Sequence, residues 1–123
     1  MKPIRILLCL LIGGCAVCVL SCRKETRVDA SRPLERSFQA SEPQVRQAVG
    51  TATTGLRAGN YTEAGRALEP VIARGDLTLQ QRQAIGLALQ QISQAVAADP
   101  SLDSKELYEL RVRMFHAARG KGF

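Results

Sequence analysis

From Ser41 onward, apolar residues recur every three or four positions, which is the period of one face of an α-helix. Gly, Asn and Pro interrupt the pattern at regular places, and no stretch alternates as a strand would. The pattern predicts an all-α fold of about four antiparallel helices, arranged as two hairpins. The predicted helices are about 42–58, 62–74, 78–98 and 104–119.

The helix ends carry local signals. Ser41 with Gln44, and Thr78 with Gln81, have capping-box spacing. Gly59 is predicted to end the first helix in the left-handed conformation. Pro70 predicts a kink in the second helix, because it removes a backbone donor and crowds the preceding turn. In the fourth helix, the pattern places Leu107, Leu110, Met114 and Ala118 inward, with Tyr108, Val112 and Phe115 beside them.

The N-terminus has a different character. Lys2 and Arg5 precede an apolar run from Ile6 to Leu20, which is shorter than the roughly 20 residues that a transmembrane helix needs. The run ends in Val19-Leu20-Ser21-Cys22, and the chain then becomes polar. This arrangement resembles the signal peptide and lipobox of bacterial lipoproteins. Ile12-Gly13-Gly14-Cys15 is a second, weaker match, and cleavage there would leave an apolar stub.

The resemblance implies that residues 1–21 are removed and that Cys22 carries diacylglycerol, with or without a further acyl chain such as palmitate. Two or more acyl chains anchor a protein stably in a membrane. The expected location is therefore the bacterial cell envelope. Arg23 follows the cysteine where Asp would favour the inner membrane, so the outer membrane is favoured.

Cleavage before Cys22 would leave 102 of the 123 residues. Two of the 17 Lys and Arg residues precede Cys22, so 15 remain against 11 acidic residues, a net charge of +4. This dispersed excess does not indicate nucleic-acid binding. All four cysteines lie at or before position 22. Neither a disulfide nor a metal site at Cys15 and Cys18 is therefore expected, and no cofactor is expected beyond the covalent lipid.

Residues 22–40 are predicted to form the lipidated cysteine and a flexible tether, since they are polar and Arg32-Pro33 disfavours a continuous helix. A flexible chain of this length reaches roughly 25 Å on average. The alternative is a segment that folds on binding, centred on Leu34 and Phe38. The helical domain is then 41–119, and 120–123 form a disordered tail.

One segment resembles a known repeat. Ala58-Gly59-Asn60-Tyr61-Thr62-Glu63-Ala64 is similar to the turn between the two helices of a tetratricopeptide repeat. The resemblance implies that Gly59 makes the turn, Tyr61 packs over it and Ala64 allows close helix approach. Ala48 stands where the family usually has a large aromatic residue. The match covers residues 45–74, and the second hairpin is diverged.

No catalytic constellation is evident, and the protein is expected not to be an enzyme. His116 lacks an obvious catalytic partner in sequence, and four acidic residues between Asp99 and Glu109 suit the start of a helix better than a metal site. The expected role is a protein-interaction or assembly module. Its partner is another protein or a second copy, held on a groove along the first helix near Arg46, Thr53 and Arg57.

The alternative role is electrostatic. A basic fourth helix would bind an anionic envelope polymer or lipid head groups. The residues expected to make this contact are Arg111, Arg113, Arg119 and Lys121.

The predicted domain has only two hairpins, which is few for a repeat protein. About three repeats are normally needed for a stable solenoid. The sequence therefore leaves two arrangements open: the fourth helix folds back to complete a bundle, or a partner covers an apolar face.

Overall fold

A computed structural model describes residues 27–120. This part of the chain forms five α-helices and one short 3-10 helix, and it contains no strand. The all-α prediction is confirmed, and the four predicted helices begin and end within a few residues of the expected positions. The helices are α1 (Ser31–Ser37), α2 (Pro43–Ala58), α3 (Tyr61–Ala73), α4 (Leu79–Ala98) and α5 (Lys105–Ala118), with the 3-10 helix at Pro100–Leu102.

Two of the predicted helix ends are confirmed. Gly59 follows α2 with φ of 80°, and the N–H of Asn60 donates to the carbonyl oxygen of Gly55 at 2.8 Å. At the start of α4, Thr78 and Gln81 form the predicted capping box. The N–H of Gln81 donates to Oγ1 of Thr78 at 3.1 Å, and the N–H of Thr78 donates to Oε1 of Gln81 at 3.0 Å.

The predicted cap at Ser41 is wrong. Pro43 is the first residue of α2, so Glu42 occupies the N-cap position, and no side chain caps the helix there. The N–H of Ser41 instead donates to the carbonyl oxygen of Phe38 in the preceding turn. The rigid φ of proline fixes the start of the helix one residue later than the capping pattern suggests. Pro70 lies inside α3, which continues to Ala73.

The helices pack as a ring. Helices α2 and α3 form one hairpin, α4 and α5 form the second, and α3 packs against α5. Helices α2 and α4 contact each other only sparingly. Helix α1 fills the space between them and packs against both. The hairpins are therefore joined on one side by α3 and α5, and on the other side through α1.

The predicted flexible tether is wrong for residues 27–40. Ala30, Leu34 and Phe38 are buried in the same core as α2 to α5. These residues are four apart, so they lie on one face of α1. Pro33 is tolerated because it is in the first turn, where backbone N–H groups have no partner within the helix. The packed helical domain, which we call the body, therefore begins well before residue 41.

Three glutamines of α4 hold this segment in place. Gln94 accepts a hydrogen bond from the N–H of Val28 at 3.1 Å, and Gln91 accepts one from the N–H of Ala30 at 2.9 Å. At the other end of α1, Nε2 of Gln81 donates to the carbonyl oxygen of Ser37 at 3.2 Å. Both ends of α1 are thus bound to α4 by side chains that satisfy its backbone groups.

Two glycines of α2 are expected to respond to alanine in opposite ways. A Cβ on Gly55 would lie 3.0 Å from the carbonyl oxygen of Asn60 and 3.1 Å from Cβ of Ala64, so overpacking is expected to lower the free energy of unfolding by about 1–3 kcal/mol. A Cβ on Gly50 meets no atom within 4 Å. Gly50→Ala should therefore raise stability by about 0.5–1 kcal/mol, because alanine favours the helix. Urea unfolding of both variants tests this, and the same sign for both would contradict it.

Candidate interaction surface

The described part of the chain exposes apolar side chains mainly on the outer side of α5. Tyr108 is 58% exposed, Val112 37% and Phe115 44%. They are four and three residues apart, so they form one stripe along the helix. The opposite side of α5 packs into the body through Leu107, Leu110, Met114 and Ala117. The three residues expected beside the inward stripe therefore point outward.

Cations border this stripe. The guanidinium carbon of Arg111 lies 5.9 Å from the centre of the Tyr108 ring, and that of Arg119 lies 5.2 Å from the centre of the Phe115 ring. Both distances are in the range of cation–π attraction. Lys105 is exposed at the start of the same helix. We call this surface the α5 face, defined by Lys105, Tyr108, Arg111, Val112, Phe115 and Arg119.

Ion pairs within the protein engage part of the predicted basic cluster. Arg111 donates to Asp103 at 2.7 Å, and its side chain is only 19% exposed. Arg113 pairs with Glu69 of α3. Lys121 lies outside the described residues. Two of the four expected cations thus have carboxylate partners within the body, which reduces the charge that they can offer to an anionic polymer.

The groove predicted on the first long helix, α2, is not an open surface, because α1 and α3 both pack against this helix. Thr53 is 2% exposed and its hydroxyl donates to the carbonyl oxygen of Gly50 at 2.9 Å, so this residue is not accessible to a partner. Arg57 donates to Glu35 of α1 at 3.0 Å. Arg46 is exposed on α2, and its role as a contact residue stays a prediction. The protein therefore covers most of the predicted groove with its own chain.

The acidic residues near the start of α5 have structural partners. Oδ1 of Asp99 accepts a hydrogen bond from the N–H of Ser101 at 3.2 Å, and Asp103 binds Arg111. Glu106 binds Arg66 of α3 through both carboxylate oxygens, which lowers the pKa of Glu106 below its ordinary value. Residues 27–120 contain no group of three or more His, Cys, Asp and Glu side chains placed to hold a metal ion.

His116 is half-buried on α5. Its ring packs edge-to-face against Phe115, with ring centres 5.8 Å apart and planes inclined at 71°. The histidine is therefore part of the border of the α5 face.

A second surface lies where the described chain begins. Arg27, Val28 and Asp29 line an open groove of about 840 Å³ against the C-terminal end of α4 and the turn between α2 and α3. The carboxylate of Asp29 accepts the backbone N–H of Ser31 at 3.0 Å, which lowers the pKa of Asp29 and fixes the entry to α1. The other side chains that the groove exposes include Arg57, Tyr61, Ala97 and Ala98.

Comparisons with known proteins add no assignment. No family model matches the chain, and neither the curated proteins nor the solved structures give a match. Cys22, the predicted site of lipid attachment, lies outside the described residues. Within residues 27–120, no helix has both the length and the apolar character required to cross a membrane.

Proposed function

We propose that this protein is a small lipid-anchored component of the bacterial cell envelope that binds a protein partner through the α5 face and catalyses no reaction. The single observation that carries the partner assignment is the exposed stripe of Tyr108, Val112 and Phe115. Tyrosine and arginine are enriched where proteins bind one another, because they combine large apolar area with hydrogen bonding or charge. The anchor rests on the lipobox that ends at Cys22.

The shape of the α5 face favours a concave partner. A single exposed helix is convex, and helices of this kind bind by laying their apolar side into a groove. The three side chains supply far less than the roughly 800 Å² per partner of a typical stable interface, so the partner must also contact both flanks of α5.

The charges of the α5 face favour an acidic partner. Lys105 and Arg119 border the stripe, whereas Arg111 is already paired with Asp103. A second copy would bring the same two cations to one interface. Like charges brought together across an interface are unfavourable. We therefore assign the face to an envelope protein with an apolar groove rimmed by carboxylates.

Binding of an anionic polymer through the basic helix ranks below this proposal. Arg111 and Arg113 already pair with Asp103 and Glu69, so a polymer would have to compete with these carboxylates. Such binding would weaken steeply with salt, whereas docking of the apolar stripe would depend on salt much less. Association measured over a range of salt concentrations separates the two.

The anchor is tested by mass spectrometry of the mature chain. We expect a protein that begins at Cys22 and carries the added mass of two or three acyl chains, a number sufficient for stable membrane attachment. Cys22→Ala should abolish acylation completely, whereas Cys15→Ala is the matched control and should leave it unchanged. Acylation at Cys15, or an unmodified chain of 123 residues, would contradict the proposed anchor.

The partner is tested by crosslinking within the membrane. A photoreactive amino acid at Val112 should give one dominant crosslink to a protein other than this chain. The same group at Gln80, which is exposed on α4, is the control and should not give that product. Absence of any crosslink at position 112, or crosslinks only between copies of this chain, would contradict the assignment of the α5 face to a separate partner.

A further inference from the structure

The described chain is held against α4 from its first residues onward. Val28 and Ala30 are hydrogen-bonded to Gln94 and Gln91 of α4, and Ala30 is fully buried. Only four residues, 23–26, separate Cys22 from Arg27, where the described chain begins. A fully extended chain spans at most about 3.6 Å per residue. Arg27 can therefore lie no more than about 18 Å from Cys22.

We infer that the body stands directly on the bilayer, with the groove beside Arg27 and the C-terminal end of α4 turned towards the lipid head groups. This inference rests on the proposed acylation of Cys22, which would hold that residue at the membrane surface. The contact surface is then the end of the body formed by the turn between α2 and α3 and by the last turn of α4. Arg27 and Tyr61 line the groove at this end, and Ala97 and Ala98 are exposed beside them.

The length of α4 excludes the inverted orientation. Arg27 lies at the level of Ala95 and Ala98, close to the C-terminal end of this helix of 20 residues. Leu79, at the other end, is about 24 Å from Ala95 along the axis, since the helix rises about 1.5 Å per residue. If the Leu79 end faced the bilayer, Arg27 would have to lie farther from the surface than the short connection from Cys22 allows.

This orientation also puts the basic C-terminal end of α5 on the side of the body away from the bilayer. Helix α5 runs back along α4, and a Cβ on Gly86 would lie 3.6 Å from Cβ of Ala118. Arg119 is therefore near the first half of α4, the end that points away from the bilayer. The cations at the end of α5 are directed to partners beyond the membrane and not to the head groups beneath the body. The α5 face, which runs along the side of the body, is accessible to an envelope protein that approaches laterally.

The test uses the acylated chain that begins at Cys22, inserted into liposomes of phosphatidylethanolamine and phosphatidylglycerol. It measures how accessible a single introduced thiol is. Cys22 is blocked as a thioether once it is acylated, and the other three cysteines lie in the signal peptide. Ala97→Cys places a thiol at the proposed membrane end, and Gln83→Cys is the matched control near the other end of the same helix. Both positions are exposed. The readout is the rate of reaction with a membrane-impermeant maleimide.

The comparison chain has about 20 Gly and Ser residues inserted after Lys24, which adds roughly 25 Å of average reach. We expect the Ala97→Cys thiol to react at least about fivefold more slowly without the insertion than with it, and the Gln83→Cys thiol to change less than about twofold. The difference should persist in high salt, because the constraint is covalent and not screened.

The possible outcomes distinguish failure of the inferred orientation from failure of the proposed lipid anchor at Cys22. Acylated chain in which the insertion does not change the Ala97→Cys rate would overturn the orientation and leave the anchor intact. An insertion that speeds the reaction at Gln83→Cys but not at Ala97→Cys would show the inverted orientation and overturn the inference. A mass spectrum without acyl groups on Cys22 would remove the anchor itself, and the orientation with it.

Discussion

Phe38→Ala is expected to lower the free energy of unfolding by about 3–5 kcal/mol, the cost of removing a large aromatic side chain from a packed core. Phe38 is 2% exposed and belongs to the single core that α2 to α5 also build. Small helical domains have only about 5–15 kcal/mol of stability in total. The variant should therefore lose a large part of its stability, which urea unfolding followed by circular dichroism would measure.

Phe115→Ala is the matched control for this substitution. Phe115 is 44% exposed, so the same change of side chain should cost less than about 1 kcal/mol. Leu34→Ala, on the same face of α1 as Phe38, should cost about 2–5 kcal/mol. If Phe38→Ala and Phe115→Ala had equal small effects, α1 would not be part of the core, and residues 22–40 would act as the flexible tether that their composition suggests.

The sequence predicted the four long helices because each has a sustained stripe and a clear end. Gly59 and the Thr78–Gln81 box are signals that act within one turn, so they depend little on distant residues. The Ser41–Gln44 signal failed for an equally local reason, because Pro43 begins the helix one residue later. The spacing of Ala30, Leu34 and Phe38 was also present in the sequence. Helix α1 has only seven residues, however, and a helix this short is marginal unless tertiary contacts stabilise it.

The contacts that stabilise α1 could not be read from local pattern. Gln81, Gln91 and Gln94 resemble ordinary surface residues of an amphipathic helix, but they bind backbone groups of the segment 28–37. These hydrogen bonds join residues more than forty positions apart. Their existence depends on how α4 is placed beside α1, which is a property of the assembled fold.

The candidate site was mispredicted for a related reason. The stripe on α2 showed which side of the helix is buried, but it did not show what buries it. Because α1 and α3 both pack against α2, Thr53 is part of the interior, and Arg57 binds Glu35 of α1. The outward position of Tyr108 and Phe115 follows from the direction of α5, which the inward residues Leu110 and Met114 fix.

The packing of α1 also bears on the repeat resemblance. In a solenoid, each repeat packs on the next along a continuous core. Here α1 lies between α2 and α4, so the corresponding helices of the two hairpins barely touch. Gly59 adopts the left-handed conformation that the helix-end signal predicts, and the assignment to the tetratricopeptide family stays a prediction. The hairpins form a closed bundle whose fifth member comes from the N-terminal segment.

The combined substitution Tyr108→Ala and Phe115→Ala should weaken partner binding by at least about 100-fold. Aromatic residues at the centre of an interface each contribute about 2 kcal/mol or more, and about 1.4 kcal/mol corresponds to a tenfold change in affinity. Two such losses, even if they are not fully additive, exceed a factor of 100. The measurement is titration of the wild-type and substituted proteins against the partner identified by crosslinking at position 112.

The matched control for this loss is Leu79→Ala. Leu79 is 64% exposed, and it lies on α4 outside the α5 face. Leu79→Ala should leave affinity unchanged and should lower the free energy of unfolding by no more than about 1 kcal/mol. The double variant should lose no more than about 2 kcal/mol, because Tyr108 and Phe115 are each about half exposed. Arg119→Ala should reduce mainly the association rate and its salt dependence, since a cation at the border steers an acidic partner. Unchanged affinity of the double variant would place the partner on another surface. Binding that salt abolishes, and that depends on Arg119 but not on Tyr108 and Phe115, would support the electrostatic alternative.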